Sequence, residues 1–123
     1  MEKYYLAIDI GASSGRHILG HVENGKILLE EVFRFDNKQV HRNGHDCWDM
    51  ENLWDGILSG LKVCKDAGKI PETIGIDTWA VDFVLLDADG NLIGDAVAYR
   101  DSRTDGADKI SRTRAARGIA SGI

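Results

Sequence analysis

Tyr4-Tyr5-Leu6-Ala7-Ile8-Asp9-Ile10-Gly11-Ala12-Ser13-Ser14-Gly15-Arg16 is the stretch on which the fold turns. Residues 4–10 form an apolar run with one acid, which passes into a turn of small residues and out again into apolar Ile18-Leu19. The pattern is that of a strand, a tight turn and a second strand. A single carboxylate at a strand end, followed at once by glycine and hydroxyls, suits a metal–phosphate group. Asp9 can hold a hydrated cation while N–H groups freed by the turn point at phosphate oxygens. Gly11 and Gly15 allow the main chain to approach closely; Ala12, Ser13 and Ser14 fill the bend, the serines add donors, and Arg16 adds positive charge. The stretch differs from the Gly-x-x-x-x-Gly-Lys-Ser/Thr loop, because it has no lysine and strand follows it. The competing account is a polar hairpin turn in which Asp9 only ties down the loop.

The chain has 123 residues, enough for one domain with a real core. Its net charge of -5 argues against nucleic acid or an anionic membrane as partner, since both want a basic face. A small anion such as a nucleotide stays compatible, being met by local donors and a metal. No apolar run reaches bilayer length, and the start Met1-Glu2-Lys3-Tyr4 lacks a signal-peptide profile. Cys47 and Cys64 make neither a metal-ligand pattern nor a disulfide framework. Free thiols buried as small hydrophobes are expected, with a cytoplasmic location. His41 and His45 have no partner at metal-ligand spacing and are expected to be solvated.

Strands are expected over Tyr4–Ile10, 16–23 and 27–35, the last two joined by the hairpin signal Glu23-Asn24-Gly25-Lys26. Residues 36–47 read as a polar loop. Asp49 is suited to an N-cap with Glu51 in the first turn, and Leu53, Trp54, Ile57, Leu58, Leu61 and Cys64 recur at helical spacing up to a stop at Gly68. Pro71 marks the exit. A strand at 73–78 most simply returns parallel to the first after the crossover. A further strand at 81–86, a turn at 87–91 and an extended piece at 92–98 follow, and the segment from Asp101 can start a helix. This α/β order, β-β-β-α-β in a mixed sheet, resembles the ribonuclease H-like half-unit of the actin-like ATPases, in which the first hairpin loop holds phosphates.

Three segments narrow the resemblance. They are Asp9 to Arg16, Ile74-Gly75-Ile76-Asp77-Thr78-Trp79-Ala80-Val81-Asp82-Phe83-Val84-Leu85-Leu86-Asp87, and Ala98-Tyr99-Arg100-Asp101-Ser102-Arg103-Thr104. Together they resemble the N-terminal part of the rhamnulokinases, within the FGGY carbohydrate kinases. Arg34-Phe35 and Trp48-Asp49 are similar too. The resemblance implies transfer of the ATP γ-phosphoryl group to the 1-hydroxyl of L-rhamnulose with Mg²⁺, and it leaves kinase action on another ketose or deoxy sugar open. It assigns ATP to Ala12, Ser13, Ser14, Gly15 and Arg16, and puts Asp9 beside the metal through water. Ala80 stands where the family has a glycine against the sugar, so one extra methyl enters that site. Tyr99 matches an aromatic that lines the sugar pocket in related kinases; Trp79, Asp77, Asp82, Asp101 and Arg103 are further substrate candidates.

Each candidate also has a plainer account. Trp79 fits a core position, and Asp82 in an alternating strand would point at solvent unless a polyol supplies it with donors. Asp101 with Arg103 fits an N-cap and its surface companion. The resemblance covers residues 1–110 and implies a base, an aspartate in a Gly-His-Asp context, far beyond residue 123, together with a second, adenine-binding domain. Residues 111–123, with Arg112, Arg114 and Arg117, read as a divergent, solvated tail. A chain of this extent is expected to be catalytically inactive alone and to self-associate through strand edges and apolar surface left bare; a non-catalytic module is the remaining alternative.

Overall fold

A computed structural model describes residues 2–107 and 109 of the chain. Strands β1 (Tyr4–Ile10), β2 (Ser14–Glu23) and β3 (Lys26–Asp36) form an antiparallel meander. A hairpin of β4 (Gln39–Arg42) and β5 (His45–Trp48), then helix α1 (Met50–Asp66), lead to β6 (Pro71–Thr78), which returns parallel to β1. The resulting sheet has the order β3-β2-β1-β6. Pro71 opens β6, a strand position where a missing N–H costs no ladder bond. Among the described residues no helix is long and apolar enough to cross a membrane.

Two expectations fail. Residues 36–47 are not a loop throughout: β4 and β5 pair there, turned by Asn43 (φ 51°) and Gly44 (φ 80°) in the same left-handed pair that Asn24 (φ 51°) and Gly25 (φ 74°) make between β2 and β3. Nor is 81–86 a strand. Val81 is left-handed (φ 69°) and breaks the run, leaving a single bridge between Leu86 and Leu92. The turn at 87–91 does form, closed by Asp87 N–H donating to the Asn91 carbonyl (2.9 Å). Residues 95–98 lie along β5, with Trp48 N–H donating to Ala96 O (2.8 Å) and Ala98 N–H to Asp46 O (2.8 Å). After Asp101 the chain makes one 3₁₀ turn, Ser102–Thr104.

The helix begins as its sequence requires. Asp49 accepts from the Asn52 N–H (3.1 Å), a cap that stabilises the helix by about 1 kcal/mol. Its buried line is Gly56, Gly60 and Cys64, each four residues apart. Trp54 and Leu58, which fit the helical period, lie about 200° round the helix from that line and are exposed. The glycines are required by close approach. A side chain at Gly15 or Gly56 would overlap the Phe35 ring, and one at Gly60 would overlap the His17 ring. Leu6, Ile8, Ile10, Leu19 and Cys64 form the buried core, covered by Leu53, Ile57 and Leu61. Among the described residues, no helix lies on the opposite face of the sheet. That face holds an apolar trough of about 480 Å³ lined by Tyr5, Ala7, Ile18, Val22, Ile27 and Leu29, among others.

His17 sits at 0% exposure between sheet and helix. Its Nε2–H donates to the Ile57 carbonyl (3.0 Å), so Nδ1 is left buried with no partner among the described residues. Burial pushes the His17 pKa down, and the Ile57 carbonyl offsets this in part. A folded-state pKa below the unfolded value of about 6.5 means that the unfolded chain takes up a proton which the folded chain refuses. Stability is therefore fully present above that pH and falls as pH drops through it. Urea unfolding is expected to give a lower midpoint at pH 5.5 than at pH 7.5, with the difference reduced in His17→Gln, whose amide can still donate to Ile57. An undiminished pH dependence in that variant would remove His17 as the cause.

Candidate active site

The end of β1 lies between two concavities. The first, about 290 Å³ and polar, is lined by Asp9, Gly11, Ala12, Ser13, Ser14, Arg16 and Arg34. Its floor follows from register. Asp77, Asp9, Arg16 and Arg34 are direct neighbours across β6, β1, β2 and β3, so their side chains rise from one face of the sheet in a single row. Asp9 and Arg16 are ion-paired, and Arg34 donates to Glu31 Oε1 (2.7 Å). The Arg16 hydrogen bond holds the Asp9 carboxyl below the usual carboxylate range against the opposing effect of burial, and Arg16's charge lowers it further. Asp9 thus stays ionised at neutral pH.

The bend over this floor is closed by Gly11 N–H donating to Ser14 O (2.9 Å). Asn37, buried, holds it from the other side: its backbone N–H donates to Ser13 O (2.9 Å) and its Nδ2 to Gly11 O (2.9 Å). Asn37 Oδ1 is buried without a partner among the described residues. The Ala12 and Ser13 N–H groups likewise find no acceptor among those residues. An ordered bend with free donors beside two guanidinium groups fits a phosphate. The missing side chain of Gly15 also makes room for Phe35 on the helix side of the sheet. Among the described residues no group of three or more His, Cys, Asp or Glu is arranged to hold a metal. Neither Asn37 nor Arg34 was among the sequence candidates.

The second concavity, about 230 Å³, is mostly apolar, with Ile10, Trp48, Met50, Leu53, Trp79, Phe83 and Val84 in its lining and Thr78 and Asp82 as polar members. The Trp48 and Trp79 rings lie 4.3 Å apart at 43°. Asp82 is not turned to solvent. Its Oδ2 accepts from Trp48 Nε1 (2.6 Å) and from Trp79 Nε1 (2.7 Å). Trp79 packs on the core and also lines the cleft. Ala12 packs against the Trp48 cluster, which couples the bend to the cleft. Ala80 and Tyr99 lie outside the lining: Ala80 is exposed, and the Tyr99 ring stands 6.4 Å from Trp48 beneath the Arg100 guanidinium. The left-handed Val81 between Ala80 and Asp82 costs of order 1–3 kcal/mol.

Asp101 is a brace. At 4% exposure it accepts from Asp46 N–H (2.8 Å), His45 Nδ1–H (2.9 Å) and Arg103 N–H (3.1 Å), and the Asp46 hydrogen bond is the chief cause of its lowered pKa. Of the two accounts weighed for it, the cap is the one that forms, and Arg103 is exposed beside it. His45, expected in solvent, is instead anchored to Asp101, whereas His41 is exposed, 3.2 Å from Asp46 Oδ1. The tripeptide Gly44-His45-Asp46 is accordingly a hairpin element. Both cysteines are free and buried, and burial pushes their thiols up in pKa. Arg112, Arg114 and Arg117, with the rest of 110–123, lie outside the described residues.

Comparison with known proteins agrees with this geometry. Residues 4–119 match the family model described as FGGY family of carbohydrate kinases, N-terminal domain. The chain is 56% identical over 106 residues to the rhamnulokinase of Oceanobacillus iheyensis, covering 86% of this chain and 23% of the relative. To the rhamnulokinase of Bacillus subtilis it is 48% identical over 110 residues, covering 89% and 23%. It thus spans about a quarter of the length of the curated relatives it matches. The gluconate kinase structure from Lactobacillus acidophilus superposes with a TM-score of 0.69 at 19% identity, over 99% of this chain and 24% of that one. The xylulose kinase from Rhodospirillum rubrum gives 0.66 at 21%, over 92% and 24%. The fold is the ribonuclease H-like half-domain of the actin and sugar-kinase type. By its bend, its sheet order and its sequence, the chain belongs to the FGGY family of carbohydrate kinases, whose N-terminal domain it represents.

Proposed function

We propose that this chain supplies the phosphate-binding bend and one wall of the acceptor site of an ATP-dependent kinase for a ketose or deoxy sugar. The observation that carries this is the adjacency of a donor-rich bend at residues 11–14 to an apolar cleft walled by two indoles, joined through Ala12. Indole faces suit the C–H faces of sugars, and a few polar groups fix orientation. In this reading the bend, Arg16 and Arg34 hold the terminal phosphates. A magnesium ion would be held through water by Asp9 and by phosphate oxygens, and when bound it would supply charge neutralisation at the transferring group. Asp9, kept ionised by Arg16, is suited to that part.

L-rhamnulose is the specific acceptor we favour, on the strength of the identity to rhamnulokinases. Other ketoses remain alternatives, since Ala80 changes the loop beside the cleft. In a radiometric assay with labelled ATP, the full-length enzyme is expected to turn over L-rhamnulose with a higher kcat/KM than xylulose or gluconate, and the 123-residue chain alone to give no phosphosugar. Equal turnover of all three would remove rhamnulose but leave a kinase. No ATP-dependent product from any sugar would remove the kinase.

The exposed apolar sheet face supports a second property of the isolated chain. Val22, Ile27 and Leu29 are 61%, 73% and 71% exposed around one trough, and exposed apolar surface of this kind favours association. The chain is therefore expected to self-associate through that face. Sedimentation velocity should show oligomers that dissociate in Leu29→Lys; a wild-type monomer at high concentration would refute the association.

A further inference from the structure

Val81 is the one β-branched residue at positive φ among the described residues (69°), and at 79% exposure its own side chain is not what holds it there. The consequence of that backbone is local. β6 ends at Thr78, and the left-handed residue turns the chain so that Asp82 comes back beneath Trp79, three positions earlier. Trp48 reaches the same carboxylate oxygen from the end of β5, 34 residues away in sequence. Both indole N–H groups, one of them on a residue only 3% exposed, are therefore satisfied by Oδ2 alone. Oδ1 has no partner among the described residues, and Asp82 lines the apolar cleft.

We propose that Asp82 builds the acceptor wall: Oδ2 locks Trp48 and Trp79 into one surface, Oδ1 takes a hydroxyl of the bound sugar, and the strained Val81 aims the carboxylate. The ligand class is a polyol with a C–H face to lay on the Trp79 indole, which buried Trp48 backs, and a hydroxyl at its edge. This rests on the carbohydrate-kinase reading for its ligand, but not for the lock itself. Strain concentrates where surrounding structure over-determines it, and here two short hydrogen bonds from rigid rings do so. A solvent-facing Asp82 with independent indoles would give neither the shared oxygen nor a reason for a β-branched residue in that conformation.

Near-ultraviolet circular dichroism of the 123-residue chain tests the lock. Coupled indoles held at 4.3 Å should give a strong signal, weakened in Asp82→Ala and in Val81→Pro, whose ring forbids a positive φ, while the far-ultraviolet spectrum is kept. In Asp82→Asn, whose amide oxygen can still accept from both rings, the signal should persist. An unchanged near-ultraviolet signal in both Asp82→Ala and Val81→Pro overturns the lock, and Val81→Pro alone decides it if Asp82→Ala does not fold. In the full-length enzyme, Asp82→Asn replaces Oδ1 by a donor and should raise KM for the sugar about tenfold or more, with a smaller change in kcat and in KM for ATP. An unaltered sugar KM overturns the Oδ1 contact. Absence of any sugar phosphorylation by the wild-type enzyme would instead fell the kinase reading, and the spectroscopic arm would still decide the lock.

Discussion

The close seating of α1 on the sheet is the constraint from which the rest follows. Phe35 occupies space that side chains at Gly15 and Gly56 would need, and His17 occupies that of a side chain at Gly60. Three glycines on two elements thus let two rings lie flat between helix and sheet, where interiors are packed too densely for an added methyl to be absorbed. Seating the helix at that depth also fixes its first turn. Met50 and Leu53 are then brought to the end of β1, where they line the apolar cleft with Ile10. The two faces of β2 divide the labour: Gly15 and His17 serve the helix, while Arg16 between them serves the polar floor.

That floor is an arrangement of charge set by strand pairing. Two carboxylates and two guanidiniums stand in the order Asp77, Asp9, Arg16, Arg34, one per strand. Only the middle pair is neutralised within the row, since Arg34 leans to Glu31. The sheet thereby offers a negative side, suited to a cation, and a positive side, suited to an anion, under one bend. Exposed pairs of this sort contribute little to stability, and their placement bears on ligands more than on folding.

Much of this was legible in the residues. Alternation and the Asn24-Gly25 pair located β1 to β3, and Asp49 with the helical period located α1. The parallel return of β6 followed from the crossover. What could not be read was long-range or irregular. Counting pairs back from the Asn24-Gly25 turn puts Phe33 opposite Arg16, but a bulge at Val32 shifts the register and brings Arg34 there instead. A bulge has no compositional mark. The β4–β5 hairpin did carry its Asn43-Gly44 signal, but the polar residues around it masked any apolar alternation. The Trp48–Asp82 contact spans 34 residues of sequence, and Asn37 acts through a bend 26 residues earlier, so neither has a local signature.

The brace at Asp101 has a consequence in time. The β4–β5 hairpin is complete by Trp48, yet the carboxylate that accepts from Asp46 N–H and His45 lies 55 and 56 positions further along. At roughly 5–20 residues per second of synthesis, several seconds separate the two on the ribosome. During that interval Trp48 lacks both the cover of residues 95–98 and the oxygen of Asp82, so an indole destined for the interior stays wet until its late-made partners emerge.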